Sequence, residues 1–261
     1  MQAHIVFAHP EPKSFNGALA DTAERTLAAQ GHSVSRSDLY GEGFDPVEGP
    51  ARYDTRADAA YFSALTEGLA GNDITRVMGV MNGTCNYILT RMQATGQGYN
   101  ALFEEADKLG YLEADPNLDV GGIDAGHKLA LLSSIAFGCQ VDFDGVALEG
   151  IQDITLDDIR HAADMGYRIK LLGVAQMTGR GLEQRMSPCL VPAKSPLGQL
   201  EGGTNMVVLE GDQVEQIVLR GPGAGMGPTA SAVMGDVMDI ARGFRLSTFG
   251  QPAATLKPCA Q

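Results

Sequence analysis

The spacing of apolar residues changes near residue 168, and this change constrains the fold more than any other feature of the sequence. Residues 124–137 carry an apolar stripe at helical spacing. The stripe consists of Ala125, Leu129, Leu132 and Ile135. After residue 168 the spacing becomes two, which is typical of strands with one buried face. Strands are predicted at 168–176, 185–191, 205–209 and 213–219. Helices followed by a run of strands predict an α+β domain, with a mostly antiparallel sheet covered by helices on one face.

The first forty residues have a different pattern. An apolar β-branched run at 4–8, a helical pattern at 16–30 and a second strand candidate at 32–38 predict a β-α-β unit, the opening of a parallel sheet. Residues 40–58 are rich in Gly, Pro and charged residues, which is typical of a long surface loop. The fold class predicted for the whole chain is therefore α/β, with an incomplete β-α-β unit ahead of the α+β domain.

The remaining elements are predicted from local periodicity and from helix-start signals. Helices are expected at 59–69, 87–92, 102–109, 155–165 and 229–242, and a strand is expected at 74–81. Thr155 and Asp158 have the spacing of a capping box, which favours a helix start at that point.

The charge balance and the apolar pattern exclude several classes of function. The 261-residue chain has 19 Lys and Arg against 32 Asp and Glu, a net charge of -13. It has no long basic run that could neutralise phosphates, so nucleic-acid binding is not expected. No apolar stretch approaches the ~18 residues of a membrane span, and the N-terminus lacks the basic and then apolar pattern of a signal peptide. We expect a cytoplasmic protein with no membrane partner.

Neither the cysteines nor the histidines predict a metal site. Cys85, Cys139, Cys189 and Cys259 contain no C-x-x-C pair, and the five histidines are dispersed along the chain. We therefore expect no bound metal and four reduced, mostly buried thiols, as is usual in the cytoplasm.

Charged residues at two places could bind a small molecule, although each also has a purely structural interpretation. Asp124 and Lys128 lie four residues apart on one predicted helix, so they could hold a small amino acid or form an ordinary surface ion pair. Glu113 lies in a turn that ends at Pro116, where its carboxylate could bind a cation or could simply be solvated.

Two turns that precede helices are further candidates. Asn82, Gly83 and Thr84 follow a predicted strand, so the N-terminus of the next helix could face a ligand, or Asn82 or Thr84 could merely cap that helix. The run GPGAGMGP at 221–228 does not complete a G-x-G-x-x-G fingerprint. It could be a tight strand-to-helix turn or a turn that approaches a cofactor.

Three long motifs occur in order in the second part of the chain. They are ITRVMGVMNGTCNYILTRM at 74–92, LGYLEADPNLDVGGIDAGHKLALLSSIAFG at 109–138 and GPGAGMGPTASAVMGDVMDIARG at 221–243. Residues 63–252 therefore resemble the catalytic domain of homoserine dehydrogenase. The resemblance implies an oxidoreductase that interconverts L-homoserine and L-aspartate 4-semialdehyde with NADP or NAD, in the biosynthesis of threonine, methionine and isoleucine.

The resemblance also implies a role for each candidate residue. The substrate-binding residues that it implies are Glu113, Asp124, Lys128, Asn82, Gly83 and Thr84. Glu113 would bind the substrate ammonium, and the catalytic pair would be Asp124 and Lys128, with Lys128 as a proton shuttle at the reacting oxygen. The cofactor-binding residues that it implies, for NADP or NAD, are Gly223, Gly225, Gly227 and Thr229. The family's catalytic domain dimerises through its sheet, so a homodimer is expected.

The N-terminal segment has a different resemblance. Residues 2–62 resemble the opening of flavodoxin-like NAD(P)H:quinone oxidoreductases, because His9 is followed five residues later by Ser-Phe-Asn, as in their first flavin phosphate loop. This implies flavin contacts at His9, Ser14, Phe15 and Asn16. A flavodoxin-like sheet has about five strands and this segment supplies about two, so FAD binding is not expected. The predicted domains are 1–62, a flavodoxin-like fragment; 63–252, the catalytic domain; and 253–261, a C-terminal tail.

The chain therefore resembles a fusion of two oxidoreductase segments, whether through gene rearrangement, design or a faulty gene model. The Rossmann domain of homoserine dehydrogenases, with its G-x-G-x-x-G turn and Ala-Asn-Lys segment, has no counterpart in the sequence. Three hypotheses for function follow: a homoserine dehydrogenase, a non-catalytic dimerisation or binding module, and a flavin-dependent quinone reductase fragment. A homoserine assay, sedimentation and flavin absorbance would respectively distinguish them.

Overall fold

The computed structural model describes residues 2–7, 13, 15–38, 64–113, 115–243, 249 and 251–259. The chain divides into two compact units, Met1–Arg52 and Tyr53–Gln261. The predicted loop at 40–58 lies outside the described residues, as do two of the four residues implied in flavin binding, His9 and Ser14.

The described residues of the first unit form a β-α-β element. Strand β1 (Gln2–Phe7) and strand β2 (Ser33–Asp38) pair in parallel, and helix α1 (Phe15–Ala29) connects them. The chain reverses after α1 at Gly31, whose φ of 82° lies in the left-handed region that favours glycine. The two-stranded sheet confirms the predicted incomplete β-α-β unit.

The second unit is built from six α-helices and six strands in its described residues. The helices are α2 (Gly83–Thr95), α3 (Tyr99–Lys108), α4 (Pro116–Val120), α5 (Ile123–Phe137) and α6 (Leu156–Asp164), and they precede most of the sheet. The strands are β3 (Ile74–Val80), β4 (Val146–Leu148), β5 (Tyr167–Thr178), β6 (Gly181–Pro192), β7 (Thr204–Gly211) and β8 (Glu215–Pro222). A sixth helix, α7 (Met226–Arg242), follows the last strand.

The six strands form one sheet in the order β4-β6-β5-β3-β7-β8. Every pairing is antiparallel except that of β4 with β6. This confirms the prediction of a mostly antiparallel sheet in an α+β unit.

The two faces of the sheet have separate apolar clusters because side chains alternate along each strand. On β5, Leu171 and Ala175 belong to the larger cluster, which includes α5 residues such as Leu129. Leu172 on the same strand belongs to the smaller cluster, which includes Leu200 from the loop after β6. Helices α2, α5 and α6 all contact β5. The larger cluster is therefore the main core.

Several element bounds differ from the sequence-based predictions. Helix α2 begins at Gly83, not at residue 87, because Asn82 caps it. The short elements α4 and β4 were not predicted, since five and three residues are too few for a periodic signal. The helix predicted at 59–69 is, in its described part, a π-helical turn at Ala64–Gly68. The capping box at Thr155 and Asp158 is confirmed, with both reciprocal hydrogen bonds present.

The prediction of four reduced thiols is wrong for two of the cysteines. Cys139 and Cys259 form a disulfide across 120 residues of sequence, while Cys85 and Cys189 are free. The pairing arises because the C-terminal segment lies beside the end of α5, where the Gln140 N–H donates to the Lys257 carbonyl over 2.8 Å. Only tertiary structure brings these residues together, so cysteine spacing gave no sign of the bond.

Candidate functional site

The turn between β3 and α2 is fixed by its own side chains. Asn82 has an extended backbone, and its Oδ1 accepts the Cys85 N–H over 2.8 Å. A Cβ on Gly83 would lie 2.6 Å from the Gly203 carbonyl oxygen, so only glycine fits there without a shift. The Thr84 hydroxyl donates to the Tyr111 carbonyl over 2.8 Å. Asn82 therefore caps α2, and the hydrogen bond from Thr84 to Tyr111 further constrains the turn.

A buried carboxylate, Asp119, connects this turn to the segment that carries Glu113. Asp119 is 5% exposed, and its Oδ1 accepts from Asn82 Nδ2 over 2.8 Å. Its Oδ2 accepts the backbone N–H of Glu113 over 2.9 Å. Asp119 therefore bridges the β3–α2 turn and the backbone of Glu113.

Asp124 and Lys128 form the predicted pair on the first turns of α5. Lys128 Nζ lies 3.2 Å from Asp124 Oδ2, and it also donates to the Met81 carbonyl over 3.4 Å. Asn82 Nδ2 lies 3.5 Å from the same Asp124 oxygen. The Lys128 side chain is only 17% exposed, so this is not an ordinary surface ion pair. The pair joins α5 to the turn that begins α2.

Cys85 is a buried thiol that lies close to the carboxylates of Asp119 and Asp124. Burial, together with the charges of Asp119 and Asp124, raises the pKa of the Cys85 thiol well above its usual value. Its Sγ donates to the Asp119 carbonyl over 3.2 Å. Cys85 therefore stays protonated and is a packing residue, not a nucleophile.

Glu113 is held by its backbone while its side chain is exposed. Its N–H is fixed by Asp119, and Tyr111 two residues earlier is fixed by Thr84. Its carboxylate can therefore meet a ligand at the edge of the cluster. The residues that the structure brings together are Asn82, Gly83, Thr84, Glu113, Asp119, Asp124 and Lys128, and we call them the acidic cluster.

The glycine-rich turn between β8 and α7 approaches the acidic cluster at one point. The Asn205 side chain packs directly against Gly223, where an added Cβ would clash with it. Asn205 Nδ2 also donates to the Met81 carbonyl over 3.4 Å, and this carbonyl accepts from Lys128 as well. Gly223 therefore contacts Asn205, and Asn205 and Lys128 donate to the same Met81 carbonyl.

The other residues of that turn form the start of α7. Gly225 has a φ of 117°, a conformation that favours glycine, and its carbonyl accepts the Thr229 N–H over 3.0 Å. Gly227 is exposed, and nothing lies within 4 Å of an added Cβ there. The turn is therefore open to solvent at Gly227 and packed at Gly223.

Sequence reasoning missed a buried polar group beside the site. Lys170 on β5 is 2% exposed, and its Nζ donates to Asn86 Oδ1 over 2.7 Å and to the Leu200 carbonyl. A signal was present, because Lys170 shares the face of β5 with Leu172 and Val174, positions that read as buried. A charged residue at an inward strand position indicates a polar network.

The flavin contacts implied at the N-terminus are only partly within the described residues. Phe15 and Asn16 begin α1, and the Asn16 side chain is exposed.

In the described part of the chain, no helix is long and apolar enough to cross a membrane.

The chain is similar to known proteins over both of its parts. The profile of a family described as Homoserine dehydrogenase matches residues 61–238, and one described as Flavodoxin-like fold matches residues 1–73. These matches confirm both resemblances found in the sequence.

Curated proteins and solved structures give the same result. A homoserine dehydrogenase from Neisseria gonorrhoeae is 40% identical over 233 residues, covering 87% of this chain and 52% of the relative. The crystal structure of a homoserine dehydrogenase from Thiobacillus denitrificans matches with a TM-score of 0.77 and 28% identity, covering 98% of this chain and 78% of that one. A hyperthermophilic archaeal homoserine dehydrogenase mutant in complex with NADPH matches in fold, with a TM-score of 0.64 and 20% identity over 94% of this chain and 99% of that one. The chain spans about half the length of the curated relatives that it matches.

Proposed function

Because the chain belongs to the homoserine dehydrogenase family, we propose that its acidic cluster binds L-homoserine or L-aspartate 4-semialdehyde for NAD(P)-dependent interconversion. The observation that carries the proposal is the hydrogen-bonded set that joins Asp124 and Lys128 to Asn82, and Asn82 to Asp119. One lysine among several carboxylates suits a small zwitterion, whose ammonium pairs with carboxylates and whose oxygen accepts from an ammonium.

Each substrate group has a partner of matching chemistry in the cluster. The exposed Glu113 carboxylate, on a backbone fixed by Asp119, is the proposed partner of the substrate ammonium. Lys128 is the proposed proton donor and acceptor at the reacting oxygen. Its partial burial beside Asp124 and the Met81 carbonyl limits the directions in which its N–H groups can point.

Asp124 is proposed to orient Lys128 and to balance its charge. Its carboxylate is held from two sides, by Lys128 Nζ at 3.2 Å and by Asn82 Nδ2 at 3.5 Å. The adjacent turn at Gly83 and Thr84 presents the N-terminus of α2, which favours the negative end of a bound substrate. The proposed substrate residues thus come from helix α5, from the segment between α3 and α4 that carries Glu113, and from the β3–α2 turn.

The glycine-rich turn fits one edge of a dinucleotide site. Gly227 is open, so the backbone there can approach a phosphate closely, and Thr229 lies in the first turn of the 17-residue helix α7. We propose that Gly223, Gly225, Gly227 and Thr229 would contact NADP or NAD. When bound, the dinucleotide accepts or donates the hydride, while the residues of this chain bind and orient the substrate and move its proton.

A homodimer is also proposed, and it would be compatible with a role in assembly alone. Tyr167 at the start of β5 and Leu190 near the end of β6 are 38% and 51% exposed, and both lie at one end of the paired strands. Exposed large apolar side chains on a sheet are candidates for a subunit contact. Sedimentation that detects only monomers at high protein concentration would contradict the homodimer.

An assay of homoserine oxidation with NADP tests the enzymatic proposal. We expect turnover in the parent and loss of turnover in Lys128→Ala. Lys194→Ala, which removes an exposed lysine outside the acidic cluster, is the control and should keep the turnover of the parent. Calorimetric titration with NADP in the same proteins separates loss of cofactor binding from loss of chemistry. Parent turnover no higher than that of Lys128→Ala would contradict an active dehydrogenase. The flavin-dependent alternative is not favoured by the curated relatives.

A further inference from the structure

Lys170 holds two separate segments together from inside the protein. Its Nζ donates to Asn86 Oδ1 on α2 over 2.7 Å and to the Leu200 carbonyl in the loop after β6. Asn86 in turn donates from Nδ2 to the Gly202 carbonyl over 2.7 Å. The ammonium and the amide together therefore fix the turn at 200–203 against α2.

The same turn touches the first residues of α2. The Gly203 carbonyl lies so close to Gly83 that a Cβ there would come within 2.6 Å of it. Asn86 lies one helical turn after Asn82, and its N–H donates to the Asn82 carbonyl over 3.3 Å. A displacement of the 200–203 turn would therefore be felt at the β3–α2 turn, where Asn82 contacts Asp119 and Asp124.

We propose that Lys170 is a positioning residue: by holding Asn86 and the 200–203 turn, it sets the position of Asn82, Gly83 and Thr84 in the acidic cluster. The consequence for substrate rests on the proposed function of that cluster. Lys170 itself is buried behind the turn and acts through these residues, without touching the substrate.

The chemistry of the position supports this role. Leu172 and Val174 occupy the same face of β5, and an apolar side chain at residue 170 would avoid the cost of burying a charge. The pKa of Lys170 is lowered to about 8, mainly by burial and also by the nearby Arg168 guanidinium, while Glu201 opposes the shift. On β6 the free Cys189 is its direct strand partner. The hydrogen bonds from the ammonium to Asn86 and to the Leu200 carbonyl offset the cost of burying the charge.

Lys170→Met tests the proposal, because methionine keeps the length of the side chain and removes the charge. Lys194→Met is the matched control, since Lys194 is exposed in the loop after β6. Without ligand, we expect the amide NMR signals of Gly83, Thr84 and Gly202 to shift in Lys170→Met and to stay in place in the control. With L-homoserine, we expect affinity about tenfold lower or worse in Lys170→Met, given the cost of small misplacements.

The two parts of the experiment separate this proposal from the proposed function. Signals of Gly83 and Thr84 that coincide in the parent and in Lys170→Met would overturn the positioning role, whatever the ligand does. A parent that shows no homoserine binding would contradict the proposed function and leave the ligand-free comparison decisive for Lys170.

A pH titration of the parent protein keeps the test valid if Lys170→Met does not fold. The side-chain carbon signal of Lys170 reports its own protonation. The amide signals of Gly83 and Gly202 should follow the same midpoint, because loss of the charge weakens the bonds to Asn86 and Leu200. Amide signals that do not respond at that midpoint would overturn the proposal.

Discussion

The described parts of the two units differ in the number of strands in their sheets and in how much apolar surface they bury. In the described residues of the first unit, β1 and β2 form a two-stranded parallel sheet with one helix, and Gly17 and Ala20 are the only buried residues among them. The second unit has six paired strands, and both faces of its sheet carry buried apolar clusters. A parallel sheet needs cover on both faces, so two strands and one helix cannot enclose a core.

This difference predicts unequal stability for two segments that are equally recognisable in sequence. The profile matches identify both segments, yet the described residues of the first unit bury little of the apolar area from which stability arises. Similarity shows ancestry and local fold, whereas the free energy of unfolding depends on how much apolar surface the unit can bury.

The largest expected effect is that of a core truncation in the second unit. Leu129 on α5 is fully buried in the larger cluster, so Leu129→Ala should lower the free energy of unfolding by about 2 to 5 kcal/mol. The matched change Leu19→Ala on α1 removes a partly buried side chain and should cost less than about 1 kcal/mol. Urea unfolding followed by residue-specific NMR measures both effects. Equal losses for the two variants would contradict the comparison.

The disulfide should contribute the next largest effect, and it tests whether the C-terminal segment belongs to the stable unit. Replacing Cys139 and Cys259 by Ser opens a 120-residue loop and should lower the free energy of unfolding by about 2 to 4 kcal/mol. Hydrogen exchange at the Gln140 amide, which bonds to the Lys257 carbonyl, should then become faster. Cys189→Ser is the control, because this cysteine is free. A double variant as stable as the parent would show that the bond adds nothing.

A smaller effect concerns the pH dependence of stability through Lys170. Its pKa in the folded state is about 8, below the ordinary value of 10.5, so between these values the unfolded chain binds more protons than the folded chain. The free energy of unfolding should therefore rise with pH in this range, by at most about 1.4 kcal/mol per pH unit from this residue. Lys170→Met should remove that rise in urea unfolding series. A parent and a variant with identical slopes would mean that Lys170 has an ordinary pKa.

Strong periodicity made most of the fold predictable, and the failures have physical causes. The alternation along 168–219 predicted four of the six sheet strands of the second unit, because burial of one face imposes it. β4 was missed because its three residues depend on pairing with β6, a distant segment. Helix α2 was started too late because Gly83 and Thr84 are weak helix formers, and the cap by Asn82 overrides that preference.

The candidate site also has one part that the sequence predicts and another part that it does not. Asp124 and Lys128 were predictable because helical spacing alone brings them together, and the structure pairs them. The bridging position of Asp119 and the bonds of Lys170 depend on contacts between residues far apart in sequence, 37 residues for Asn82 with Asp119 and 84 for Lys170 with Asn86. Local patterns carry no information on such contacts.

The most direct test of the central claim is a titration of the parent protein with L-homoserine followed by amide NMR. At millimolar homoserine, we expect the signals of Glu113, Asp124 and Lys128 to shift, because a zwitterion enters the acidic cluster of the second unit. Asp124→Asn should abolish these shifts, while Asp157→Asn, a change at an exposed surface ion pair, should leave them intact. Signals that do not move in the parent, or that move equally in Asp124→Asn, would contradict the assignment of the substrate site.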